Sequence, residues 1–101
     1  MEINKMLTVS TAHITQETAE LLDKICKDST LSSLIVYEKV CRYKNIQEEY
    51  GWFIYCNVNL ADLKAPEDLL NVICFAKDLG CAWLCFDRDG DILDYLETYN
   101  W

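Results

Sequence analysis

Three glycines, one proline and one histidine are spread over a chain of 101 residues. With Gly51, Gly80 and Gly90 so far apart, no glycine-rich loop is available to cradle a phosphate. That argues against an NTPase or a dinucleotide enzyme. No run approaches the roughly 20 apolar residues of a membrane helix, and the opening MEINKMLTVS lacks the apolar centre of a signal peptide. A cytoplasmic protein with no membrane partner is expected. Basic residues are also scarce, nine against seventeen acids, for a net charge of −8. Nucleic-acid affinity comes largely from Lys and Arg neutralising phosphates, so direct binding of DNA or RNA is not expected. The deficit grows along the chain, from six bases and eight acids in residues 1–50 to three and nine in residues 51–101. Such a balance serves solubility or a basic protein partner.

Cysteine is plentiful, yet none of the six, Cys26, Cys41, Cys56, Cys74, Cys81 and Cys85, forms a Cys-x-x-Cys pair. Reduced, buried or half-buried thiols are the reading for a cytosolic chain. The stretch CAWLCFDRDGD, residues 81–91, tests the metal alternative. On an extended strand Cys81 and Cys85 stand roughly 13 Å apart, at about 3.3 Å per residue, too far to share an ion or a disulfide. Asp87, Asp89 and Asp91 alternate like the start of a calcium loop. Such a loop takes glycine at its sixth place and glutamate at its twelfth. Here Gly90 comes fourth and Thr98 twelfth. A strand ending in a tight turn is expected, with no metal and no cofactor.

Half the residues are hydrophobic, 51%, enough for the core of one domain spanning 1–101. Met6 to Ser10 is β-compatible, and Thr15 can cap a helix reaching Asp28, with Ile14, Thr18, Leu21, Leu22 and Ile25 on its apolar face. Leu34–Cys41 and Trp52–Val58 read as strands joined by a polar loop ending at Gly51. Pro66 opens a second helix that exits at Gly80, with Leu69, Val72, Ile73, Ala76 and Leu79 as its stripe. Cys81 to Phe86 is a further strand, and Ile92–Leu96 is a candidate fifth. The order β-α-β-β-α-β predicts an α+β fold of the ferredoxin-like, split βαβ kind, an antiparallel sheet with two helices on one face.

Such a sheet has a bare face. Strand side chains alternate, so the apolar set Ala82, Leu84 and Phe86 should meet the helices while Cys81, Trp83 and Cys85 face away. Phe53, Tyr55 and Tyr37 are expected beside Trp83. Aromatic residues concentrate at interface hot spots, which predicts a protein-interaction module binding a basic partner, or a homodimer using the same face. Asp89, Asp91 and Asp94 would then form an acidic steering edge. The alternative is a small hydrolase or ligand-binding domain centred on His13, in VSTAHIT, with Ser10 and Thr11 alongside and Asp87 within reach. No motif supplies nucleophile, base and oxyanion donors together, so a non-enzymatic role is the leading expectation.

Together, VSTAHIT, GWFIY, CAWLCFDRDG and the terminal TYNW resemble a family of small uncharacterised bacterial and phage proteins. Members are often encoded on plasmids, phages and integrated conjugative elements. The resemblance implies a mobile-element setting, in which small acidic proteins often bind and disable a host protein, and it supplies no catalytic residues.

Overall fold

The computed structural model describes residues 3–38 and 51–101. The expected end of the second strand at Cys41 and the polar loop after it lie outside those residues. Four strands, β1 (Met6–Ser10), β2 (Val36–Glu38), β3 (Gly51–Tyr55) and β4 (Trp83–Asp87), form one sheet with two helices, α1 (Gln16–Lys27) and α2 (Glu67–Asp78). The fold is α+β.

Both helices start where their chemistry dictates. Thr15 caps α1 by accepting the Thr18 N–H, and Pro66 precedes α2, whose first turn holds Glu67 and Asp68. Asp68 also ties the two N-termini together. Its carboxylate accepts the Thr15 N–H at 2.8 Å and the Thr18 hydroxyl at 2.7 Å. At the other end of α2, Gly80 takes φ +78°. The Gly80 and Cys81 N–H groups return to the Lys77 and Ala76 carbonyls, the double closure that glycine in a left-handed conformation permits. Leu79 leaves the apolar stripe there and is 48% exposed. Cys81 is likewise spent on the helix exit, so β4 begins at Trp83 and the extended-strand spacing does not apply between Cys81 and Cys85.

The sheet departs from the antiparallel, ferredoxin-like expectation. Its order is β1-β4-β3-β2, with β1 parallel to β4 and the other two pairs antiparallel. The cause is the segment between β3 and α2. A ferredoxin-like chain would enter a crossover helix straight from β3, leaving β3 and β4 parallel. Here residues 56–66 first travel the length of the helix layer. Cys56 N bonds Ala82 O at the start of β4, whereas Asp68 meets Thr15 beyond the end of β1. Helix α2 then brings the chain back to the end where β3 finished. So β4 runs opposite to β3 and slots in beside β1. Lys77 Nζ bonds Val58 O at 2.6 Å and fastens α2 to this return segment.

One core lies between the sheet and the helices. Val9, Trp52, Ile54, Leu84 and Phe86 from the strands pack with Leu22 and Ile25 of α1 and Leu69, Val72 and Ile73 of α2. The Trp52 indole is fully buried, and its N–H donates to Asp23 Oδ1 of α1 at 3.0 Å. The register Ile54↔Leu84 and Trp52↔Phe86 places these side chains in two rows across the sheet. Ala82, expected among them, precedes the strand and is half-buried.

Residues 92–96 form no strand. After Asp91 O accepts the Ser10 N–H, the chain turns, with Leu96 N on Leu93 O. Leu93 and Leu96 pack against the core and Tyr95 stacks on Phe75 of α2. Burying those two leucines holds the tail on the helix layer instead of extended beside β1. Gly90 makes the preceding turn possible, because a Cβ there would stand 2.6 Å from the Val9 carbonyl carbon.

Candidate functional site

On the face away from the helices, β4 presents Trp83, Cys85 and Asp87, and β3 presents Phe53 and Tyr55. Pairing sets Tyr55 opposite Trp83, and Tyr37 opposite Phe53 opposite Cys85. The Trp83 ring lies 5.1 Å from Tyr55, edge-on, and 6.1 Å from Tyr37. Met6 of β1 adjoins Trp83 in register. Tyr37 is 59% exposed and Met6 47%, whereas Phe53, Tyr55 and Trp83 are half-buried. All four aromatic residues named from the sequence therefore share one sheet face. Alternation on a two-residue period made this legible, because Leu84 and Phe86 are so plainly the core pair.

At the tips of β1 and β4 lies a second assembly. The tail folds back over Ser10–Ile14. Tyr99 N bonds Ala12 O, and the Trp101 indole N–H bonds Ile14 O, both at 2.8 Å. His13 sits beneath, 1% exposed. Its Nδ1–H donates to Glu97 O at 2.8 Å and its Nε2 accepts the Leu93 N–H at 3.0 Å. One tautomer satisfies both bonds, and neither ring nitrogen is left to take a proton from a substrate. Ser10 Oγ accepts the Ala12 N–H. Asp87 Oδ1 accepts the Asp89 N–H, while Gly90 N bonds Asp87 O. Asp87 thus organises the β-turn that the spacing foretold, and Asp89, Asp91 and Asp94 are exposed. Among the described residues, no three His, Cys, Asp or Glu are grouped to hold one ion.

An open cleft of about 370 Å³ remains between these parts, lined by Ser10, Thr11, Ala12, Arg88, Tyr99 and Trp101. A neighbouring one of about 390 Å³, shared through Tyr99, reaches the helix N-termini and Asp68. Partial burial of the Tyr99 phenol, then the charges of Asp68, Glu97 and Glu67, push its pKa up, so it is held as a hydroxyl donor.

A model of a family of unknown function, the DUF5983 C-terminal domain, matches residues 6–101. The chain belongs to the DUF5983 family. No curated protein and no solved structure matches it. In this DUF5983 chain the segments VSTAHIT, DRDG and TYNW meet at one end of the sheet, and Gly51 of GWFIY pairs there with Asp87. Sequence reading singled out Ser10, Thr11, His13 and Asp87 but missed Arg88, Tyr99 and Trp101. A signal existed for Arg88, the one cation among five acids between residues 87 and 97. Nothing local announced that the tail would return to His13.

Proposed function

We propose that this DUF5983 chain is a non-enzymatic, cytoplasmic protein-binding module whose aromatic sheet face takes a basic partner. The observation that carries the reading is the Tyr37–Trp83–Tyr55 cluster, placed opposite both helices with Tyr37 59% exposed. Large rigid rings contribute contact area at little entropic cost and are enriched at hot spots. Asp87 lies on the same face further along β4, and Asp89, Asp91 and Asp94 continue beyond it. On a chain of net charge −8 this border favours a cationic surface. The mobile-element setting implied by the sequence resemblance fits a host protein as that partner. Cys26, Cys56, Cys74 and Cys81 are free thiols, in keeping with a reducing compartment.

The test is capture from bacterial lysate by the wild-type chain and by a Tyr37→Ala/Trp83→Ala variant, with light scattering on each pure protein. A basic protein retained at low salt, and lost from the variant, supports the reading. A wild-type dimer that the variant converts to monomer, with nothing captured, assigns the face to self-association and overturns the basic partner. Equal capture by both proteins removes the face from the interface.

A further inference from the structure

We propose that the cleft at the tips of β1 and β4 binds a small monocarboxylate with a flat apolar body. Arg88 is the group that calls for explanation. It occupies the second place of the turn closed by Gly90 N on Asp87 O, so its backbone is fixed at the rim. Asp87, Asp89 and Asp91 all lie within three residues of it. Even so, the exposed Arg88 guanidinium makes no ion pair or hydrogen bond with any described residue. The Asp87 carboxylate is instead engaged with the Asp89 N–H. In a chain with nine bases and seventeen acids, a guanidinium kept out of local pairing at the wall of a cleft is available to an external anion.

The rest of the wall suits such a ligand. Thr11, 8% exposed, carries a hydroxyl that bonds no described residue. Ser10 Oγ is oriented by accepting the Ala12 N–H, which leaves its own proton to donate. Trp101 is 49% exposed, with its ring position set by the bond from its indole N–H to Ile14 O. Tyr99 is fixed through its backbone bond to Ala12 O. The Trp101 ring, already held in place, costs little further ordering when a flat group lies on it, and the Tyr99 ring borders the same cleft.

Charge selects among oxyanions. A guanidinium fork matches the two oxygens of a carboxylate in one plane. A phosphate dianion would bring a second negative charge near Asp89, Asp91 and Asp94, whose repulsion no second base among the described residues of the cleft wall offsets. The volume of about 370 Å³ sits at the small end of ligand pockets, which run roughly 300–1,000 Å³. One or two fused rings would fill it. The cleft shares no residue with the aromatic sheet face, so this inference stands independently of the partner proposed above.

Titrating the full chain with phenylacetate, indole-3-acetate, phenylacetamide and inorganic phosphate, followed by amide NMR, tests it. Either carboxylate should saturate with Kd on the order of a millimolar or tighter, moving the Thr11, Ala12, Arg88 and Tyr99 amides. Arg88→Gln, a change at an exposed side chain, should weaken that binding about tenfold or more while leaving the remaining spectrum in place. Thr11→Val should weaken it several-fold, and the uncharged amide should not bind. The proposal is overturned if neither carboxylate saturates by about 10 mM, if Arg88→Gln leaves the affinity unchanged, or if phosphate or the amide binds as tightly.

Discussion

His13 is the residue whose removal most sharply separates a structural from a chemical role. The buried ring joins two points of the tail, Leu93 N and Glu97 O, to the segment that follows β1. Replacing it with alanine deletes both hydrogen bonds and leaves a void beneath the tail. Each bond is worth about 0.5–1.5 kcal/mol net. The lost ring packing adds on the order of 1–2 kcal/mol, less than a core aromatic would because the groups above it can settle. Together this is about 2–5 kcal/mol. For a domain of this size that corresponds to a fall in melting temperature of roughly 8–40 °C. The loss should also be local before it is global. Hydrogen exchange at Leu93, Tyr99 and Ser10, whose N–H groups hold the tail to His13, Ala12 and Asp91, should quicken more than at the Val72 amide inside α2. Phenylalanine, which restores volume without the bonds, should recover part of the loss. If His13→Ala melts within about a degree of wild type and Leu93 exchanges as before, the latch described above does not hold the tail.

Three further outcomes follow from the same geometry. Leu84→Ala should cost about 2–5 kcal/mol in urea unfolding, and Trp83→Ala less, because Leu84 is fully buried and Trp83 only half-buried; the reverse order would mean that the two sheet faces are exchanged. Cys74, exposed on α2, should alkylate far faster than Cys56, whose thiol is fully buried and pushed up to about 11 by that burial and then by Cys81, as peptide-level mass spectrometry would read. Since the folded Cys56 pKa lies above its ordinary 9.0, its stabilising share is complete below about pH 9 and lost toward pH 11, so Cys56→Ala should flatten the alkaline decline in melting temperature. Changing Asp89, Asp91 and Asp94 together to asparagine should leave melting nearly unchanged, since exposed ion pairs are worth about 0–1 kcal/mol, and should slow association with a basic partner most at low salt; a large drop in stability would show that the acids hold the turn.

What was legible in the sequence was whatever short-range periodicity and punctuation determine. Thr15 as a cap, Pro66 and Gly80 as the bounds of α2, and the alternation of Trp83 with Leu84 each depend on residues within one or two turns of the chain. The strand order did not, because the direction of β4 depends on how far residues 56–66 travel before α2 begins. A run such as NVNLADLKA carries no periodic signal of that distance. The tail misled for a related reason. Ile92–Leu96 has the apolar content of an edge strand, and the packing of Leu93 and Leu96 on the core, with the long-range bonds to His13, Ala12 and Ile14, draws the tail away from the sheet. The His13 reading turned on the same contacts: histidine between a strand and a helix looks available for catalysis until the groups that engage both nitrogens are seen to come from 80 and 84 residues away.

The unexpected place of β4 has a functional consequence. As an edge strand, β4 would meet one neighbour, and Trp83 would have been flanked on one side only. Between β1 and β3 it meets Met6 on one side and Tyr55 on the other, so the aromatic face is continuous from β1 to β2. The same placement brings its exit turn against the end of β1, where Gly90 fits close to Val9 and Arg88 reaches the rim over Thr11. One strand thereby feeds the core through Leu84 and Phe86, the open face through Trp83, and the cleft through Arg88. A one-residue slip of β4 would bury Trp83 and expose Leu84 and Phe86. The close approach of Gly90 to Val9 opposes that slip, since any side chain at position 90 would strike backbone. Gly90→Ala should therefore disturb the aromatic face and the cleft together, and amide shifts spreading from Thr11 to Tyr55 would register it. Shifts confined to residues 87–91 would show that the turn, and not the register, absorbs the added methyl group.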